Sequence, residues 1–216
     1  MAYVITIAQR KGGAGKTTLA CQLAAALAAK QIRVAGADLD EQQSFALWAH
    51  VRAANRDADP FFAGVFEKRI GLSSAVRRSR GLADVLIVDT PPTADFDVRR
   101  AIGAANLVMA PMQLSPIDLA ASLPTAEAIG AAGKSALFVV NRAPAKSRIA
   151  AEIRAQIDKY RLPVARTELG NRTAYAETMG TGAGVVEVAP RSAAAAEIRA
   201  LTAELFAIAG QFRKAA

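Results

Sequence analysis

The sequence predicts an α/β fold: a doubly wound, mainly parallel sheet with helices on both faces. Apolar runs of strand length recur along the 216 residues with helix-length segments between them, the arrangement of stacked βα units. Several of these runs are continuously apolar instead of alternating, as expected of parallel strands covered on both faces. A glycine-rich segment, Lys11 to Thr18 (KGGAGKTT), lies between the first apolar run and the first helical stretch.

Taken in chain order, Val4–Ala8 (VITIA) reads as the first strand, and the alanine- and leucine-rich stretch Lys16–Ala29 as the first helix. Arg33–Asp38 (RVAGAD) and Phe61–Phe66 (FFAGVF) are the next strands, separated by a helix over Ser44–Asn55. A helix over Leu72–Ser79 precedes Val85–Asp89 (VLIVD), four apolar residues closed by an acid. Helices over Phe96–Ala105, Leu119–Ala131 and Arg148–Tyr160 then alternate with strands at Leu107–Pro111 (LVMAP), Ala136–Asn141 (ALFVVN) and Val164–Thr167 (VART). Helices over Asn171–Met179 and Ser192–Phe212 close the chain, which is expected to form one domain over residues 1–216. In such a sheet the ligand sits beyond the carboxyl ends of the strands.

The strand, glycine loop, helix context is the one a phosphate-binding P-loop requires. Gly12, Gly13, Ala14 and Gly15 let the backbone curl so that its N–H groups, with those of Lys16, Thr17 and Thr18 at the helix N-terminus, point at phosphate oxygens. Lys16 adds a full positive charge and Thr17 a hydroxyl for Mg²⁺, so a nucleoside triphosphate is the expected ligand. Lys11, at the start of the loop, is a second lysine that most P-loops lack. Its pattern, K-G-G-x-G-K-T, is that of the deviant Walker A class; the bland alternative is a solvated lysine that attracts phosphate in a general way.

Two strand ends carry acids. At Ala37-Asp38-Leu39-Asp40 the i, i+2 spacing in extended chain sends both carboxylates to one side, with Asp40 placed to orient a water. Asp89 ends a Walker B pattern and would hold Mg²⁺ through its water shell, followed by a loop Thr90-Pro91-Pro92-Thr93 that would sense the γ-phosphate. Taken singly, either aspartate could merely cap the next turn or helix.

Composition bounds the remaining classes. Hydrophobic residues make up 52% of the chain, enough for a large core, yet no apolar run is long enough to span a bilayer. The N-terminus enters a strand directly, without a charged segment followed by an apolar one, so the expectation is a soluble, cytoplasmic protein. The single cysteine, Cys21, excludes an intramolecular disulfide and reads as a small buried side chain. His50 is the only histidine and has no nucleophile or metal cluster beside it. The net charge of +8 and a pI of about 10.1 exceed what a nucleotide needs. Residues 134 to 216 hold 13 Lys and Arg against 7 Asp and Glu, +6 of that total, which is read either as attraction to a polyanion or as a solvated basic surface.

The chain resembles the ParA-family partition ATPases, in the short form without an N-terminal DNA-binding domain, within the deviant Walker A group that also contains MinD. The likeness rests on K-G-G-A-G-K-T-T, D-L-D-E-Q, V-D-T-P-P, the segment Pro111 to Ala121 (PMQLSPIDLAA) and Asn141-Arg142. It continues through Tyr175, Gly182 to Val185 and the closing S-A-A-A-A-E-I-R-A-L. The resemblance implies an ATP-bound sandwich homodimer in which Lys11 crosses to the partner's ATP, Asp40 positions the attacking water, and Asn141 contacts adenine. It also implies non-specific binding to nucleoid DNA and a ParB-like adaptor that stimulates Mg²⁺-dependent hydrolysis. Arg142, Lys146, Arg148, Arg154, Arg166, Arg172, Arg191 and Arg199 are the candidate phosphate contacts, reading backbone charge without base specificity. Glu41 departs from the family's usual proline and puts an extra acid near the γ-phosphate.

Two other classes compete. A MinD-like membrane protein would need an amphipathic tail, for which Leu205, Phe206, Ile208 and Phe212 with Arg213 and Lys214 are available, although their spacing suits core packing better. Among metabolic relatives of this fold, one cysteine cannot supply the two cluster ligands per subunit of a nitrogenase iron protein, and no organic-substrate constellation marks a ligase.

Overall fold

In the computed structural model, residues 1–55, 59–92, 96–144 and 148–210 are described. Their strands are β1 (Tyr3–Ile7), β2 (Val34–Asp38), β3 (Phe62–Phe66), β4 (Val85–Asp89), β5 (Leu107–Met112) and β6 (Ser135–Val140), joined in one parallel sheet of order β3-β2-β4-β1-β5-β6. The helices are α1 (Lys16–Ala28), α2 (Ser44–Asn55), α3 (Leu72–Ser79), α4 (Phe96–Ala104), α5 (Pro116–Ala131), α6 (Arg148–Lys159), α7 (Thr173–Met179), α8 (Val185–Val188) and α9 (Ala193–Ala209). A 3-10 turn covers Lys68–Ile70.

The continuous apolar runs follow from cover on both faces. Ile5, Ile7, Val85, Ile87, Leu107, Met109, Leu137 and Val139 bury against the side held by α1, α2 and α9. Their neighbours in sequence, Val4, Leu86, Val88, Ala110, Phe138 and Val140, bury on the opposite side. Period-2 geometry thus splits each run between two cores, and every residue of β4 and β5 is buried.

α1 lies at the centre of the first core and packs on α2, α7, α8 and α9 as well as the sheet. Besides Leu19, Leu23 and Leu27 its apolar residues are alanine and one cysteine, and the closeness the alanines allow is visible at Gly184, where a Cβ would fall 2.4 Å from the Cβ of Ala25. Gln22, a buried polar group at the middle of this helix, donates to Thr178 Oγ1 at 2.9 Å and accepts from Val185 N at 2.8 Å.

Register fixes the working edge. Asp38 pairs with Asp89, and Asp89 with Ile7, so the loops leaving β2, β4 and β1 start from one row at the carboxyl edge. β1 is also where strand order reverses, since the chain moves to β2 on one side after β1 and crosses to β5 on the other after β4.

Three expectations are corrected. Val164–Thr167 is not a strand: it makes one bridge to β6 at Phe138, and the N–H groups of Arg166 and Thr167 turn instead to the Glu204 carboxylate of α9 at 2.8 and 2.7 Å. α5 begins at Pro116, three residues before the expected Leu119, because Ser115 caps it and Pro116 occupies the first helical position. α8 is a turn of helix that the sequence pattern did not suggest, tied by Glu187 Oε2 accepting from Gly184 N at 2.8 Å. The last helix ends at Ala209; Phe212, Arg213 and Lys214 lie outside the described residues. Leu205 is buried in the core against α1, and among the described residues no helix is long and apolar enough to cross a membrane.

Candidate functional site

The glycine loop runs from the end of β1 into α1 and curls as its composition requires. Gly13 and Gly15 take φ of 71° and 96°, and a Cβ on Gly15 would sit 2.2 Å from Asn141 Nδ2. Asn141, at the end of β6, donates that amide to Ala14 O at 2.8 Å, so a side chain from a strand two positions away pins the loop. Lys16 is 7% exposed and its ammonium lies 3.5 Å from Lys11 O, inside the curl. Burial lowers its proton affinity, and the nearby Asp89 and Asp40 carboxylates act against that.

Thr17 donates its hydroxyl to Asp89 Oδ2 at 2.6 Å. The other Asp89 oxygen is buried and has no hydrogen-bond partner among the described residues. Burial pushes this carboxyl up to about 7, against the pull of the Thr17 hydroxyl. Among the described residues no three His, Cys, Asp or Glu side chains gather to hold an ion unaided. The Thr17 hydroxyl and the unpartnered, buried Asp89 oxygen are the kind of hard oxygen donors that fit Mg²⁺ completed by water and substrate phosphate.

A stability consequence follows from Asp89. An acid whose folded value is raised above the unfolded one opposes folding once it ionises; the penalty is absent below about pH 4 and complete above about pH 7. Asp89→Asn keeps an oxygen for Thr17 and removes the charge. The metal-free variant should melt several degrees above the parent at pH 8, with the gap narrowing towards pH 5; differential scanning calorimetry at the two pH values checks this.

Asp38 and Asp40 both act on Asp89 but differ in burial and in partners. Asp38 is fully buried and accepts from the backbone N–H of Asp40, Phe45 and Ala46 at 3.0, 2.9 and 3.1 Å, closing the turn and capping α2. β2 ends at Asp38, so the extended geometry behind the i, i+2 expectation stops before Asp40. Asp40 is half-buried, accepts from Gln42 N at 3.0 Å and lies close enough to Lys16 and Asp89 to influence both. Glu41 is 83% exposed and pairs with Lys68.

Lys11 is one-third exposed at the rim of the loop and pairs with Asp118 of α5, Nζ to Oδ2 2.6 Å, while the carboxylate itself is 3% exposed. Ser115 also donates to that oxygen. The segment S-P-I-D signals the helix cap and the acid three residues on, and nothing in it signals the pairing with Lys11.

Against known proteins, the model for "CobQ/CobB/MinD/ParA nucleotide binding domain" matches residues 5–185. The chain belongs to this family. Within it, the chain is 26% identical to the maintenance of carboxysome distribution protein A of Halothiobacillus neapolitanus, covering 91% of this chain and 92% of that one. It is 28% identical to the chromosome-partitioning ATPase Soj of Thermus thermophilus, over 94% and 95%. Among solved structures, apo McdA of Cyanothece superposes with a TM-score of 0.76 at 16% identity, covering 95% of this chain and all of that one. The cell division ATPase MinD of Pyrococcus furiosus gives 0.76 at 21%, over 96% and all of its chain. At these identities the structural likeness speaks for the fold.

The basic candidates divide once their partners are seen in this member of the CobQ/CobB/MinD/ParA family. Arg148 pairs with Glu152, Arg154 with Glu168 and Arg172 with Glu197, and Arg199 donates to Pro190 O. Arg142, Arg166 and Arg191 are exposed, and no salt bridge among the described residues involves them. Lys146 and Thr93 lie outside the described residues. Cys21 is buried on α1, where burial pushes its thiol up, and His50 is at the surface 3.9 Å from Glu67.

Proposed function

We propose that the chain is an ATP-dependent positioning ATPase, acting as one domain, whose ATP-bound homodimer binds DNA without sequence preference and is released when an adaptor protein stimulates hydrolysis. The observation that carries this is the gathering of Lys16, Thr17, Asp89 and Asp40 at one sheet edge with a second lysine, Lys11, at the loop rim. The relatives named for carboxysome distribution and chromosome partitioning support the class of activity. An ATP complex of a Cyanothece McdA variant, TM-score 0.73, and the Mg-ADP complex of Pyrococcus horikoshii MinD, 0.72, share the fold.

In this reading the N–H groups from Gly12 to Thr18 and the Lys16 ammonium bind the phosphates. Thr17 and, through water, Asp89 would hold Mg²⁺, which would supply charge neutralisation at the phosphates. Asp40 orients the attacking water, and Asp38 keeps Asp40 in place by closing the turn. Asn141 holds the loop and flanks the base. Lys11 reaches the nucleotide of the second copy, a role that suits its position at the rim better than a role in its own deep site.

Arg142, Arg166 and Arg191 are the DNA contacts this reading favours, with Arg148 and Arg172 occupied by carboxylates. A salt titration of DNA binding with ATP, with ADP and without nucleotide tests it. Affinity should be highest with ATP, and Arg166→Glu should weaken binding and flatten the slope of log K against log salt by about 0.9 per lost contact. Equal affinity in all three states removes the coupling to ATP, and binding to anionic vesicles in place of DNA replaces DNA by a membrane.

A further inference from the structure

We propose that Glu197 is a positioning residue for the nucleoside half of the ligand, which rests on the phosphate-site reading above and extends it. Beside the glycine loop lies a cavity of about 250 Å³. Gly15, Thr18 and Asn141 line its phosphate side, and the segment Gly170–Thr173 with Tyr175 lines the other. Apart from one backbone bridge from Gly170 to Ala143, that second wall has no regular secondary structure over 170–172, and one carboxylate ties it at Gly170, Arg172 and Tyr175.

Glu197 comes from the first half of α9, a helix capped by Ser192 and seated through Ala194, Ala195, Ile198 and Leu201. Its Oε2 accepts from Gly170 N at 3.0 Å and from the Tyr175 hydroxyl at 2.7 Å. Its Oε1 accepts from Arg172 Nε and Nη2 at 3.0 and 2.5 Å. Gly170 has no side chain to obstruct this: a Cβ there would lie 3.2 Å from the Arg172 guanidinium, tighter than ordinary contact. Burial raises the Glu197 carboxyl, and the Arg172, Tyr175 and Gly170 donors outweigh it and leave it below its usual range. Tyr175 is pushed up by burial and by donating to Glu197, so it stays a neutral donor.

Four hydrogen bonds on one ionised carboxylate, two of them from a guanidinium, fix Arg172 and Tyr175 beyond what the single backbone bridge at Gly170 provides. The wall they fix faces the glycine loop across the cavity, so a base entering there meets a preformed surface and loses less ordering free energy on binding. Glu197 itself need not touch the ligand. Arg172 is on this view part of the wall and not a DNA contact.

The test compares ATP with inorganic tripolyphosphate, which uses the glycine loop alone. For the full chain, calorimetric titration should give tighter binding of ATP than of tripolyphosphate. Glu197→Gln should raise the ATP Kd about tenfold, the loss of a charge-assisted hydrogen bond, and leave the tripolyphosphate Kd within about twofold. Arg172→Ala should show the same split. A merely structural role would weaken both ligands together or lower only the melting temperature, and that result in the two variants overturns the proposal. Equal wild-type affinity for the two ligands also overturns it, because the cavity then takes no base. Absence of tripolyphosphate binding to the wild type would instead overturn the phosphate-site reading on which it rests.

Discussion

Asp40→Ala should lower steady-state ATP turnover about a hundredfold or more while ATP remains bound and the ATP-dependent dimer accumulates. Asp40 lies near Lys16 and Asp89, but the one hydrogen bond its carboxylate makes among the described residues is to Gln42 N, so its removal leaves the loop that grips the phosphates intact. Asp38 is the control, because its carboxylate is fully buried and already accepts from three backbone N–H groups of the turn and of α2. Asp38→Ala should therefore lower the melting temperature along with turnover, since Asp38 holds the Asp40 turn, and Asp40→Ala should lower turnover at an unchanged melting temperature. Single-turnover hydrolysis beside a melting curve separates the two, and normal hydrolysis by Asp40→Ala would return the water-orienting role to another group.

Lys11→Ala should abolish the ATP-dependent dimer and leave nucleotide affinity within a few-fold of the parent. The lysine sits at the rim with its ammonium on Asp118, whereas Lys16 lies inside the curl. Lys16→Ala should in contrast weaken ATP binding itself. Because Lys11 also neutralises a carboxylate that is 3% exposed, its loss has a second effect: Asp118 keeps Ser115 but no cation, and the monomer should be less stable. Lys11→Ala with Asp118→Asn removes that penalty, so the double variant should regain the melting temperature without regaining the dimer. Light scattering with a non-hydrolysable ATP analogue decides the matter, and an undiminished Lys11→Ala dimer would sink the trans role of this lysine.

The parts of the molecule governed by local rules are legible in the amino-acid sequence. β4 over Val85–Asp89, α2 over Ser44–Asn55 and α3 over Leu72–Ser79 fall where apolar period and turn chemistry put them, and the glycine loop needs only its own residues to declare itself. What stays hidden depends on distant carboxylates. Glu204 draws two N–H groups from a segment about forty residues earlier and so prevents a seventh strand. Glu197 and Asp118 find their cations across 25 and 107 residues, and spacing carries no trace of such pairs. Asp38 and Asp40 look equivalent when strand geometry is extended past Asp38; the chain turns there, and the turn sends one acid inward and leaves the other at the edge.

α1 sets the timescales of the site. A helix buried on all sides opens only when the whole core opens, so its amides belong to the slowest class of hydrogen exchange. The phosphate cradle grows out of its first turn and inherits that persistence. The Asp40–Gln43 turn hangs on Asp38 and two local hydrogen bonds, and Lys11 on a single ion pair, so both belong to faster, local opening. On the proposed reading the phosphate cradle would then stay constant while the groups that would act on water and on a second copy change on a much shorter clock.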